Sequence, residues 1–125
     1  MHRSLLPSLL LAAGLAWVAA GCGDSAKQPP AISTQQVAAG VPDAFKGAPA
    51  AVQTLVAEIV KAIDEKDYPT AWDRLQTLNA RPGLTDAQKE FVASSIASVG
   101  AEVNKAEETG NEAAQEALRI HRANK

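Results

Sequence analysis

Cys22 is the single cysteine of this 125-residue chain, so no intramolecular disulfide can brace it. Aromatic residues are scarce at 4% of the chain, and there are only two histidines, His2 and His121. Enzyme chemistry needs a base, a nucleophile or a metal set. Beyond the first few residues His121 is the only imidazole, no Gly-rich phosphate loop follows a strand pattern, and no His/Cys cluster has ligand spacing. An enzyme, a cofactor, a bound metal and a small-molecule substrate are therefore not expected. An excess of basic charge is also missing. With 12 Lys and Arg against 14 Asp and Glu the chain is mildly acidic, whereas nucleic-acid binding needs a basic stripe to neutralise phosphates.

Apolar residues in two different patterns are what the chain does have. The first pattern opens it. His2 and Arg3 precede an apolar stretch from Leu5 to Ala20, which ends in the small residues Ala19-Ala20-Gly21 directly before Cys22. A basic start, a short apolar run and a small-residue cleavage point read as a secretory signal over residues 1–21. The apolar run is short for a membrane span, which needs roughly 20 residues.

Ala19-Ala20-Gly21-Cys22 resembles the lipobox of bacterial lipoproteins, with Ala19 where that family usually has Leu. The resemblance implies that Cys22 receives a diacylglycerol, that the signal is cut before it, and that the new amine is acylated. Such chains anchor firmly, since each buried CH₂ contributes about 0.8 kcal/mol. Gly23, rather than Asp, follows the cysteine, and the family's sorting habit then favours the outer membrane, on its periplasmic side. An ordinary secretory cut within residues 16–20 is the competing reading. Removing residues 1–21 takes away Arg3 alone among the charges, leaving 11 basic against 14 acidic residues, about −3.

Residues 22–47 read as the lipidated terminus and a flexible tether, holding Pro29-Pro30, Pro42 and polar Ser, Thr and Gln. Val37, Val41 and Phe45 interrupt that reading, and Phe45 is expected to fold back onto the body. Residues 48–125 carry the second apolar pattern and read as a small all-α domain of three to four helices. Pro49 suits a first helical turn. Val52, Leu55, Val56, Ile59, Val60 and Ile63 then form one full stripe of an amphipathic helix. Asp67 is a candidate N-cap for a second helix with Ala71, Leu75 and Leu78 on its stripe, stopped at Arg81-Pro82-Gly83. Thr85 and Gln88 make a capping box for a third helix carrying Phe91, Val92, Ile96, Val99 and Val103. Gly100 weakens that helix without a visible reason. Past Thr109-Gly110-Asn111, an Ala-rich helix from about Glu112 has only Leu118 and Ile120 as large apolar residues, so weak packing is expected. A core this small, without disulfides, is in the range of marginal stability.

Residues 52–85 resemble a single tetratricopeptide-type helical hairpin through Asp67-Tyr68, Ala71, Leu75, Leu78 and Pro82. The resemblance implies that Ala71 is small so that two helices approach closely. Ile59 stands where the family often has Gly, and residues 86–119 do not repeat the pattern. The alternative is a generic three-helix bundle.

Three surface features remain. Tyr68 and Trp72, four apart, are a candidate interaction surface for an envelope protein or peptide, with core packing the competing role for Trp72. Asp64, Glu65 and Asp67 lack the Gly and spaced oxygens of a calcium loop and read as a solvated junction. Arg119, Arg122 and Lys125 make the last seven residues basic, which suits a helix C-terminus. The small murein-type lipoproteins also end in Lys, so Lys125 carries a resemblance that implies attachment to peptidoglycan. A structural link between membrane and wall is thus the alternative function.

Overall fold

The computed structural model describes residues 29–125, so residues 1–21, read above as a secretory signal, and Cys22 lie outside the described residues. The first element is a helix where a tether is expected. Ser33 Oγ accepts from the Gln36 N–H at 3.1 Å while Gln36 Oε1 accepts from the Ser33 N–H at 2.8 Å. This capping box satisfies two of the first-turn donors and starts α1 (Thr34–Ala44). Val37, Val41 and Phe45 recur every four residues, so they share one face, and all three are buried. The folded body therefore begins near Ser33 rather than after residue 47. Pro and Gly content argues for a loop, but Pro42 sits in the last turn and Gly40 is a packing position. Burial of the stripe outweighs their low helix propensity. Phe45 folds back onto the body as expected.

Side chains from elsewhere close the C-terminal end of α1. Gln88 Nε2 donates to the Ala44 carbonyl at 3.0 Å, and Gln53 Nε2 donates to the Phe45 carbonyl at 2.7 Å. These replace partners that the end of a helix otherwise lacks.

Helix α2 (Ala50–Asp64) buries Leu55, Val56, Ile59, Ala62 and Ile63. Val52 and Val60, at the edges of the same stripe, are half-buried. It ends in a Schellman motif, with Asp67 N–H donating to the Ala62 carbonyl at 2.8 Å and Lys66 N–H to that of Ile63 at 3.0 Å. Lys66 takes the left-handed position of this motif at φ 57°, a place that favours glycine.

Asp67 then caps α3 (Tyr68–Asn79), its carboxylate accepting from the Thr70 N–H at 3.3 Å. Ala71, Trp72, Leu75 and Leu78 are its buried face. The Thr85–Gln88 capping box opens α4 (Asp86–Glu108), with bonds of 3.1 and 2.9 Å. Gln88 thus does two things: its carbonyl oxygen caps α4 while its amide nitrogen ties α4 to α1. Val92, Val99 and Val103 are fully buried, and Ser98 Oγ donates to the Ile32 carbonyl, holding the chain just ahead of α1 against α4. Two serines, Ser94 and Ser95, are also buried, and Ser95 Oγ donates to the Phe91 carbonyl at 2.8 Å. Asn111 caps the last helix, α5 (Glu112–Ala123), accepting from the Ala114 N–H at 2.9 Å.

Helices α1, α2, α3 and α4 each pack on the next, and α4 closes the ring on α1. The shared core of this all-α bundle lies inside that ring. α5 is laid outside it, across α3 and α4. There are thus five helices among the described residues, one more than the helical domain was expected to hold, and the extra one is α1.

Candidate interaction groove

Two glycines let the bundle close. A Cβ on Gly40 of α1 would lie 2.6 Å from the tip of the Phe91 ring on α4. A Cβ on Gly100 of α4 would lie 3.0 Å from Trp72 Nε1 on α3. Gly100 therefore has a reason that only the packing reveals: it makes room for the indole edge. Trp72 Nε1 has no hydrogen-bond partner, so the indole contributes by apolar contact.

Trp72 is 7% exposed and belongs to the core, the competing role weighed for it. Its ring also meets His121 of α5, centroid to centroid 4.8 Å at 54°. That tilted contact is within the range favoured by aromatic pairs. Above it, α3 and α5 leave a groove of about 660 Å³. Pro69, Trp72 and Gln76 line one side, and Ala117, Ile120 and His121 the other. Ile120 is 47% exposed and is the exposed large hydrophobic side chain among the described residues.

Tyr68 does not join Trp72 in this lining. It is half-buried and packs against the core at the start of α3. The two residues proposed as one surface therefore have different surroundings. Leu118 and Ala114 seat α5 firmly, both being buried, so this helix is better anchored than its composition implies. Sequence reasoning missed Ile120 and His121 as groove residues. The available signal is a second stripe on α5, Ala113, Ala117, Ile120 and Asn124, at four- and three-residue steps beside the buried Ala114 and Leu118.

The charges around the groove are mostly paired locally. Arg119 Nε and Nη2 each donate to Glu116 at 2.7 Å. These hydrogen bonds, with the attraction of the opposite charge, hold the Glu116 carboxyl below the usual carboxylate range and raise the Arg119 guanidinium. Arg122 reaches Glu107 through two 3.2 Å bonds and ties α5 to α4. Arg74 Nε lies 2.7 Å from Glu58, between α3 and α2. Lys125 lines the far end of the groove. Asp64, Glu65 and Asp67 are all exposed; Asp67 is occupied as the α3 cap, and Glu65 faces Lys61 at 4.0 Å. Among the described residues, no three His, Cys, Asp or Glu side chains converge as a metal site. No helix among them is long and apolar enough to cross a membrane.

A comparison with protein-family models, curated proteins and solved structures finds no match to this chain.

Proposed function

We propose that this chain is a lipid-anchored protein of the bacterial cell envelope whose helical body is a non-enzymatic protein- or peptide-interaction module. The observation that carries the reading is the order of its first 22 residues. A basic start, an apolar run and Ala19-Ala20-Gly21 end on the one cysteine of the chain, a residue with no other task in view. The outer membrane, on its periplasmic side, is the favoured location.

The groove between α3 and α5 supports the interaction half of the reading. Concave, mostly apolar clefts with a few polar groups at the edge are where proteins take ligands and partners. The tetratricopeptide-type resemblance of residues 52–85 points the same way, since such hairpins present helical faces to peptides. The early start of α1 changes the geometry of the anchor. Ten residues, 23–32, separate Cys22 from the Ser33 cap. At ~3.1–3.6 Å per residue they keep the body within about 35 Å of the lipid surface, less than half the reach of a tether running to residue 47.

The test is chemical. Mass spectrometry of the mature chain should find an acylated Cys22 as its first residue, and Cys22→Ala should accumulate as unprocessed precursor released from membranes. An unmodified terminus, or normal membrane partitioning of that variant, would refute the anchor.

A further inference from the structure

We propose that α1 is a releasable strap, which leaves the cleft between α2 and α4 as one unit while α2 to α5 stay packed. Its effect on the reach of the anchor rests on the lipid attachment proposed above; the release itself does not.

Off the body, α1 has little to keep it helical. Its 11 residues are fewer than the ~12–15 at which an isolated helix becomes even marginal in water. Gly40 is a poor helix former, and Pro42 has no N–H to offer the Ala38 carbonyl one turn back. Asp43, the single charged residue of α1, sits in the last turn, where the helix dipole disfavours an acid. Docked, the segment is a helix; released, it is the tether that its Pro, Gly and polar content describes.

Packing sets the boundary of the moving unit. Among the described residues α1 rests on α2 and α4 alone, and those two helices do not pack on each other. α3 packs on both of them, and α5 packs on α3 and α4. Removing α1 therefore breaks no contact among the other four helices. Val37, Val41 and Phe45 are its fully buried side chains. The polar attachments are at its two ends, where the carbonyl of Ile32 accepts from Ser98, that of Ala44 from Gln88 and that of Phe45 from Gln53. Water replaces bonds of this kind with only a modest net loss. An element held by one short apolar face opens as a cooperative unit, below the free energy of global unfolding. The hinge is the turn at residues 45–47, where Gly47 takes φ 80°.

Release changes how far the body can stand from the membrane. Residues 23–48 then reach about 80–90 Å at ~3.1–3.6 Å each, against about 35 Å with α1 docked. A pull along the anchor acts first at Ser33, the end of α1 that Ser98 holds through Ile32.

Amide hydrogen exchange of the full chain in detergent micelles, read peptide by peptide by mass spectrometry, tests this. Peptides of α1 should exchange together, at least tenfold faster than the slowest peptides of α3 and α4. Leu118→Ala in α5 then decides how α1 opens. α5 does not pack on α1, so a released α1 leaves α5 in place. The variant should speed the slowest α3 and α4 amides tenfold or more and leave α1 exchange unchanged. Val37→Ala, by contrast, should speed α1 exchange by about tenfold. Exchange of α1 as slow as the slowest core amides overturns the proposal. So does a gain in α1 exchange with Leu118→Ala equal to that of the core, or an α1 indifferent to Val37→Ala. None of these readouts involves Cys22, so the anchor is judged separately.

Discussion

Gly40 is the point at which the packing of α1 can be tested most sharply. On helix propensity alone, alanine at a helix-interior position should add about 1 kcal/mol over glycine. The structure demands the opposite result. The new Cβ would meet Phe91 Cζ at 2.6 Å and Cε2 at 2.9 Å, about 1 Å short of ordinary carbon contact. The ring or α1 must move, and overpacking of this kind costs about 1–3 kcal/mol. Gly40→Ala is therefore expected to destabilise by about 1 kcal/mol net, lowering Tm by about 4–8 °C for a domain of this size. Phe91→Leu removes the ring tip. In that background the same substitution should become stabilising by about 1 kcal/mol, a coupling well above the ~0.5 kcal/mol expected of independent sites. Urea denaturation followed by far-UV circular dichroism, run on the four proteins of this cycle, gives the numbers. If Gly40→Ala raises stability equally in both backgrounds, α1 does not rest on Phe91 and the closed ring of helices is wrong.

Two further tests probe single positions. Lys66 sits at φ 57° in the Schellman motif that ends α2, where a side chain costs about 1–2 kcal/mol and glycine costs only its extra chain entropy. Lys66→Gly should therefore raise the midpoint of thermal unfolding, and an unchanged or lower midpoint would contradict the turn. Glu116 should titrate below the usual carboxylate range, through its hydrogen bonds to Arg119 first and the attraction of that charge second. A lowered carboxyl stabilises the fold above its unfolded-state range and loses that contribution as pH falls through its folded value. Because the pair is exposed, the readout is the carboxyl ¹³C titration itself. Arg119→Ala should move it upward, and identical curves would show that the bridge does not persist in solution.

Local chemistry was legible along most of the chain. Asp67, the Thr85–Gln88 box and the start near Glu112 each mark helix boundaries that the structure retains, because a cap is a bond between residues two or three apart. The α2 stripe was equally plain, since one face of a helix repeats every three to four residues. The same signals were present at α1, in Ser33 with Gln36 and in Val37, Val41 and Phe45. Gly40 and Pro42 masked them, as both are poor helix formers judged one at a time. In the candidate site, Trp72 could be singled out by type but not assigned a place. Ile120 was visible only as one of two large apolar residues on a short helix.

By itself, then, the sequence determined that the body is helical, where most of its helices begin, and that no disulfide holds it. It also placed the sole cysteine directly after a basic start, an apolar run and three small residues, and the proposed anchor rests on that order alone. Tertiary structure alone decided that α1 belongs to the core, because Val37, Val41 and Phe45 gain by burial only when α2 and α4 are there to receive them. It also decided why Gly40 and Gly100 are glycines, since each faces an aromatic ring some 30 to 50 residues away in the chain. And it divided α5 between an inner face that packs and an outer face that does not. Leu118 and Ile120 are two residues apart, some 200° around the helix, so one points into the bundle and the other lines an open groove.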